Sequence, residues 1–448
     1  RYRKPFMRLS GNAGCLDESS LVTTNYGLMT LRDIILQQRT NLDFEGFEEF
    51  KSDIKVLSHD KTWNSITDIF ATKDNTKGYD VSTKTGNKLR GSYRHPLYTL
   101  SYDGKYEWKR LDELSVGDKV AIASHDKITL DGNDESNEKL FLLGYYYADG
   151  SLQWNYKTSA FNLSFTSKDE NFLLEMATKF ESEFQGLIAS KLKFREAHGT
   201  HTVVLGGLRR SDDFMDFLEE FIDLDSKKKI RPDTFIGVST NGVISFLKGL
   251  FRDISIESPT VVVFSNLYYE NVLLVKQLLH TLGINTGKVR FHSNKQNGTY
   301  RLSILSYSLE QFVNIFGKIT GKKGGITICP PDKVNTNLNL LPNILGLLTE
   351  TGGAKTYGVA FNDCKSRGRS MSYEKLSKGE GTSEYVDRIL KDNYFWDEVI
   401  SIEEITQKFY DISVANTSSF VANSFVSHNT GKTLCISYLI QNSAELFP

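Results

Sequence analysis

The two ends of this chain are halves of one structure. The start, KPFMRLSGNAG, is a short apolar strand running into a glycine loop, and the end, TGKTLCISYLIQNSAELF, is a glycine turn opening an amphipathic helix. Joining Gly14 directly to Thr430 writes GNAGTGKT, a complete G-x-x-x-x-G-K-[ST] phosphate-binding loop between a strand and a helix. In the joined loop Gly11, Gly14 and Gly431 let backbone N–H groups approach the phosphates of ATP, with Lys432 and Thr433 on the phosphates and a Mg²⁺. Residues 15–429 therefore read as an insert that interrupts this loop.

Composition sets looser bounds. At 448 residues, 24% charged and 39% hydrophobic, the chain is long enough for two or three domains with separate cores. No apolar run reaches the roughly 18 to 20 residues of a membrane span, and the basic start RYRKPF leads into no signal-peptide core. The expectation is a cytoplasmic protein with no membrane partner. Cys15, Cys329, Cys364 and Cys435 are scattered without a CxxC pair, which suggests neither a disulfide framework nor a zinc site. A formal net charge of −1 argues neither for nor against nucleic acid, because a basic groove on one domain can be cancelled by acids elsewhere.

The insert begins with Cys15 and ends in His428-Asn429, followed by Thr430. This pattern resembles that of inteins, and the resemblance runs along nearly the whole insert. CLDESSLVTTNYGLMTLRDI is similar to the family's first splicing block, GNKLRGSYRHPLYTL to its second, and FYDISVANTSSFVANSFVSHNT to its last two. LDELSVGDKVAI and YFWDEVISIEEI are similar to strand segments of the all-β, horseshoe-shaped Hint splicing fold. These stretches are short alternating runs rich in Val, Ile, Tyr and Phe, broken by Gly, Asn and Asp, as strands and turns should be. The resemblance implies a splicing domain in two parts, residues 15–131 and 394–429, flanked by extein stubs at 1–14 and 430–448.

Each splicing step asks for one of these residue types. A thiol is already a few per cent thiolate at neutral pH, so Cys15 can attack the Gly14 carbonyl and convert an amide into a thioester. The resemblance assigns Ser92 and His95, in S-x-x-H spacing, to polarising the scissile bond and protonating its nitrogen. Thr430 attacks the thioester through a hydroxyl that needs a nearby base or acceptor, and the resemblance offers Asp411. The Asn429 side chain then attacks its own carbonyl, closing a succinimide and releasing the insert, with His428 donating to the carbonyl or leaving group. No cofactor is required, and the only partners are the chain's own exteins. Two departures stand out: Ser92 occupies a position where the family more often has Thr, and Ser418 stands where its last block often carries a second histidine.

The middle of the insert, residues 134–343, alternates helical periods with β stretches. LLGYYYADGSL resembles the LAGLIDADG motif of homing endonucleases, and FLKGLFRDISIE resembles a second copy. The resemblance implies an inserted α+β domain in which two such helices pack side by side, each carrying an acidic residue to a Mg²⁺-dependent centre for cutting double-stranded DNA. Gly144 and Ala148 are four apart, hence on one helix face, where small side chains let a partner approach. Asp149 falls at the helix C-terminus, where the macrodipole disfavours an anion unless a cation neutralises it. Aligning Gly249 with Gly144 puts Ile254 where the second acid belongs. Either the helix ends a residue early and Asp253 takes the role, or the site has lost one metal ligand. The metal candidates are thus Asp149 and Asp253. KKKIRPDTF is similar to the family's lysine-containing segment and makes Lys229 the candidate to polarise water or stabilise charge.

Residues 344–393 contain Gly and Ser clusters that suit loops and a linker back to the splicing domain. The host loop resembles that of superfamily-1 DNA helicases. The expected protein is thus a multidomain monomer, a Hint domain with an α+β LAGLIDADG insertion. One alternative of another class is a P-loop ATPase with a DNA-binding regulatory insertion that never splices.

Overall fold

The computed structural model describes residues 14–124, 126–132, 137–184, 192–197, 200–208, 213–221, 228–293, 298–317, 327–330, 339–350, 354–367, 370–377 and 384–429. Within them the chain forms two compact units. One comprises residues 14–25, 29–123 and those from 339 onward, and the other comprises 26–28 and 124–330.

The first unit is built on a continuous antiparallel sheet into which the C-terminal residues are threaded. The long strand Phe395–Gln407 pairs with both Lys119–Ile122 and Thr76–Thr83. Tyr410–Val414 pairs with Trp63–Ala71, and Ser419–Ala422 pairs with Leu21–Thr24. Phe425–His428 lies against Pro96–Leu100 and Lys119–Ile122. Alternation drives this arrangement, since one face of each strand buries residues such as Val22, Val56, Val81, Val120 and Phe425. Because strands from both ends of the insert are neighbours in one sheet, residues almost the full chain apart meet. Leu16 and Tyr410 are an example.

Residues 344–393 differ from the expected loops. They carry the helices Ile344–Glu350, Ala354–Ser366, Tyr373–Leu376 and Glu384–Asp392, interleaved with the Gly and Ser clusters. The apolar residues Ile344, Leu348, Phe361, Val386 and Ile389 are buried, and pairs such as Val386/Ile389 sit on one helix face. Runs this short leave too few periods to distinguish them from loop in the sequence.

The second unit is an internal repeat. Helix Asn137–Asp149 is followed by strands Gly150–Asn155 and Ala160–Ser167, helix Glu170–Glu183, and strands Leu192–Ala197 and Thr200–Leu208. Helix Thr240–Leu250 is followed by strands Ser255–Ser258 and Val261–Asn266, helix Tyr269–Thr281, and strands Arg290–Ser293 and Gly298–Ser303. Both four-stranded sheets have the same order, first-second-fourth-third. The leading helices pack on each other through their glycines. A Cβ on Gly144 would lie 2.0 Å from the Phe246 carbonyl oxygen, and one on Gly249 would lie 2.1 Å from the Phe141 carbonyl oxygen. Each contacted Phe stands three residues before its own helix's glycine, so the packing relates Gly144 to Gly249 by an approximate twofold.

Candidate functional site

At the start of the insert the chain runs as a short strand between two others. The Cys15 N–H donates to Ser92 Oγ at 2.8 Å, and the Cys15 carbonyl accepts from the Ser92 N–H at 2.8 Å. Leu16 exchanges both backbone hydrogen bonds with Tyr410, at 2.6 and 2.8 Å. The nitrogen of the Gly14–Cys15 peptide bond is therefore held on the Ser92 hydroxyl. The Ser92–His95 turn, closed by His95 N–H donating to the Ser92 carbonyl at 2.9 Å, brings the imidazole back over the same bond. A Cβ on Gly14 would lie 2.6 Å from His95 Cα and 2.9 Å from the Arg94 carbonyl oxygen, so this close approach has room only for glycine.

His95 is completely buried. Burial drives its pKa down to about 3, the Gly14 backbone beside it acts the other way, and the charge of His428 lowers it further. The imidazole is neutral at pH 7. Neither ring nitrogen has a hydrogen-bond partner among the described residues, so a proton that His95 gives to the leaving nitrogen comes from a neutral, unengaged ring.

The Cys15 side chain is buried against Phe70 and Phe409. Asp411 is also buried. It stands two residues from Phe409 and pairs in register with Phe70, so it shares their sheet face. Sequence reasoning placed Asp411 near the reaction, and this register places it beside the apolar pocket that holds the Cys15 side chain.

At the other end, Asn429 is buried. Its backbone N–H donates to the Ser418 carbonyl at 2.9 Å. In the orientation that surrounding donors and acceptors require, the carboxamide nitrogen donates to the same Ser418 carbonyl at 2.7 Å, and its oxygen accepts from the Val414 N–H at 2.7 Å. Ser418 has φ +52°, a conformation costly for a residue with a Cβ, and its carbonyl serves both Asn429 donors. Ser418 thus acts on Asn429 through its backbone. His428 Nδ1 hydrogen-bonds the Asn429 carbonyl oxygen, the acyl group of the bond to residue 430. That contact makes Nδ1 the protonated nitrogen. Burial lowers the His428 pKa, the bond to Asn429 opposes this, and the charge of His59 lowers it further. The indole of Trp108 packs on His428 with ring centroids 4.7 Å apart. Nothing in the sequence marked His59 or Trp108. Both join the site through sheet pairings far apart in the chain.

Thr430, Gly11, Gly431, Lys432 and Thr433 lie outside the described residues.

In the second unit Asp149 is the last residue of its helix and half-buried. The partner helix ends at Leu250 and tightens into a 3₁₀ turn over Phe251–Asp253, after which Ile254 is fully buried. An α-helix rises about 1.5 Å per residue, so Asp149 stands about 7.5 Å along the axis from Gly144. From Gly249, one α step and three 3₁₀ steps of about 2.0 Å also advance about 7.5 Å, which brings the backbone to Asp253. Turn angles of about 100° and 120° per residue leave the two positions within about 40° in azimuth. Lys229 is exposed, with its ammonium 5.7 Å from the Tyr268 ring centre. Lys228 is the lysine that feels Asp149. Its ammonium lies 5.3 Å from the Tyr146 ring centre, and its pKa is lowered by burial and raised by the Asp149 carboxylate. Among the described residues no three His, Cys, Asp or Glu side chains cluster as a complete metal cage. Carboxylate oxygens suit Mg²⁺, which is commonly held by one or two carboxylates with water and phosphate completing the shell. No helix among the described residues is long and apolar enough to cross a membrane.

The chain is similar to several known proteins. The chain is 21% identical over 96% of its length to the replicative DNA helicase DnaB of Synechocystis sp., covering 51% of that protein. It is 23% identical over 79% of its length to DnaB of Rhodothermus marinus, covering 40% of it. It is 24% identical over 68% of its length to the replication factor C small subunit of Methanocaldococcus jannaschii, covering 17% of it. The chain thus spans about half the length, or less, of these relatives. Similar solved structures include the homing endonuclease I-DmoI in complex with DNA and Mn, at 18% identity, 41% of this chain, 97% of that chain and a TM-score of 0.33. The transcription factor IIB Mvu mini-intein matches at 18% identity, 25% of this chain, 71% of that chain and a TM-score of 0.21. Residues 21–429 match the family model of the intein splicing domain, and the chain belongs to that family.

Proposed function

We propose that residues 15–429 excise themselves and join Gly14 to Thr430, restoring GNAGTGKT. The observation that carries this reading is that both bonds to be broken are held by the groups their cleavage needs. The Cys15 amide nitrogen rests on Ser92 beside the His95 ring, and the Asn429 carbonyl accepts from His428 while its carboxamide donates to Ser418.

The Cys15 sulfur attacks the Gly14 carbonyl carbon, whose oxygen is stabilised by the His95 N–H. As the intermediate collapses, the C–N bond breaks, the nitrogen leaves with a proton, and the acyl group remains on sulfur as a thioester. Ser92, already hydrogen-bonded to that nitrogen, and His95 are the donors within reach. The Thr430 hydroxyl attacks the thioester, expelling the Cys15 thiolate, with Asp411 accepting the hydroxyl proton. Asn429 then closes on its own carbonyl. The Ser418 carbonyl draws on its N–H, His428 polarises the carbonyl oxygen, and the bond to residue 430 breaks. The ester between Gly14 and Thr430 reverts to an amide. A regulatory insertion that never splices would have no use for these arrangements.

Replacing one junction residue at a time separates the steps. Cys15→Ala should abolish ligation while leaving release at Asn429, and Asn429→Ala should leave a thioester cleavable by added thiol. Ligated product from Cys15→Ala would overturn the assignment.

For the second unit we infer a DNA endonuclease, supported by two helices meeting at Gly144 and Gly249 with Asp149 and Asp253 at matching heights. Those two residues would hold Mg²⁺, which supplies charge neutralisation at a scissile phosphate. Lys229 remains the candidate to polarise water there, and Lys228, whose pKa the Asp149 carboxylate raises, is a second. The substrate is host DNA spanning the uninterrupted GNAGTGKT codons, and the spliced host binds ATP with Mg²⁺. The test is cleavage of that DNA with Mg²⁺, and its loss in Asp149→Asn. Cleavage undiminished by Asp149→Asn would overturn this reading.

A further inference from the structure

Ser418 leaves the Asn429 junction with only one histidine in its own segment, but the sheet brings a second from elsewhere. His59 sits in the turn between the strands Lys55–Leu57 and Trp63–Ala71. The turn is closed by Ser58 N–H to the Thr62 carbonyl at 2.9 Å and Lys61 N–H to the Ser58 carbonyl at 3.0 Å, with Lys61 at φ +64°. It is anchored to the strand carrying Ser419 at three points. Ser58 Oγ donates to the Ser419 carbonyl at 2.9 Å, the His59 N–H donates to Ser419 Oγ at 3.1 Å, and His59 Nδ1 meets Ser419 Oγ at 2.7 Å. The Tyr394 hydroxyl donates to the His59 carbonyl.

Ser419 is the register partner of His428 across the hairpin, so their side chains share one face. The His59 ring also packs edge-on to Trp108, at 5.7 Å between centroids, and Trp108 is the ring on which His428 rests. Since Ser419 Oγ already accepts the His59 N–H, its hydroxyl proton is available for His59 Nδ1. A half-buried imidazole this firmly tied has no evident use as a surface side chain.

We propose that His59 is a positioning residue for cleavage at Asn429. Through Ser419 and Trp108 it orients the His428 ring so that Nδ1–H donates to the Asn429 carbonyl. This rests on the splicing reading. The other groups around the pair do not titrate near neutrality. His95 is neutral down to about pH 3, the Tyr98 ring 5.8 Å from His59 belongs to a hydroxyl raised by burial to about 12, and the Lys61 ammonium lies over the Tyr394 ring.

The experiment uses the full chain with Cys15→Ala, which isolates release at Asn429, followed from pH 5 to 9 by intact mass. His59→Gln should slow release about tenfold, below the 10²-fold or more of a direct acid–base role. It should also move the midpoint of the pH profile upward, because His59 is one of the groups that lower the His428 pKa. Ser419→Ala, which keeps the imidazole and unties it, should give an intermediate slowing. In an Asn429→Ala chain, thiol-induced cleavage at Gly14–Cys15 should be unchanged by His59→Gln, establishing that the fold is intact. An unchanged rate and profile would overturn the proposal, as would equal slowing at both junctions with an unmoved profile. If the Cys15→Ala chain with His59 in place releases nothing at Asn429, the splicing reading itself fails.

Discussion

His95 provides a quantitative test of the first junction. An unfolded chain protonates this residue near its ordinary pKa of 6.5, whereas burial holds the folded value at about 3. Between these values the unfolded state binds a proton that the folded state refuses, so stability falls as pH drops below 6.5 and the loss is complete near pH 3. One pKa unit is worth about 1.4 kcal/mol, so the difference of 6.5 − 3 corresponds to about 5 kcal/mol at pH 3 and about 3 kcal/mol at pH 4.5. His95→Gln keeps a polar donor but does not titrate. It should cost about 1 kcal/mol at pH 7.5, where a buried ring is replaced by a side chain of different shape, and be the more stable form by about 2 kcal/mol at pH 4.5. The curves should cross near pH 6. The assay is urea unfolding by tryptophan fluorescence in a Cys15→Ala, Asn429→Ala chain, with Trp154→Phe to remove the indole of the other unit and leave Trp63, Trp108 and Trp396. His428, also lowered by burial, contributes equally to both chains and cancels. A stability difference that stays constant from pH 7.5 to 4.5 would refute the buried, neutral assignment of His95.

Ser92→Ala should slow thiol-dependent cleavage at Gly14–Cys15 in an Asn429→Ala chain by about 10- to 100-fold, because the hydroxyl that accepts the scissile N–H, worth about 1.5–3 kcal/mol as that nitrogen leaves, is lost. Gly144→Ala places a methyl 2.0 Å from a backbone oxygen and should destabilise the second unit by about 1–3 kcal/mol, read as an earlier melting transition in the Trp154 fluorescence. Ile254→Asp should destabilise that unit by several kcal/mol without improving DNA cleavage, because the residue is fully buried, while Asp253→Asn should abolish Mg²⁺-dependent cleavage. An Asn429→Ala, Cys15→Ala chain should not bind ATP at concentrations that saturate the spliced product, measured by equilibrium dialysis, because its loop stays interrupted.

The junction residues were legible because splicing chemistry needs a thiol at one boundary and an asparagine at the other, whatever lies between. The paired glycine helices were legible for a similar reason: Gly144 and Gly249 are the residues that permit backbone contact. The site's tertiary partners were not. His59 reaches Ser419 through the hydrogen bonds of a turn that lies 360 residues away in the chain, and no local pattern encodes that contact. The role of Ser418 was hidden for a different reason. In the sequence it stands out only as a departure from the family's histidine, whereas in the structure its carbonyl, set by a positive φ, accepts from both Asn429 donors. The choice between Asp253 and Ile254 turns on a backbone detail the sequence does not show, a 3₁₀ turn over Phe251–Asp253 with a longer rise per residue than an α-helix. Lys228 and Lys229 are adjacent in a lysine run, and only the fold distinguishes the one facing Asp149 from the one facing solvent.

The central claim is that one polypeptide breaks two of its own peptide bonds and forms a new one. Intact-mass spectrometry of the purified, unmodified chain over time reads this directly. Two products should accumulate together as the starting mass declines: residues 15–429, shorter by one water through the succinimide at Asn429, and a short peptide in which Gly14 is bonded to Thr430. A single unchanged mass under conditions where the chain is folded, or fragments released at both junctions with no joined peptide, would contradict the account.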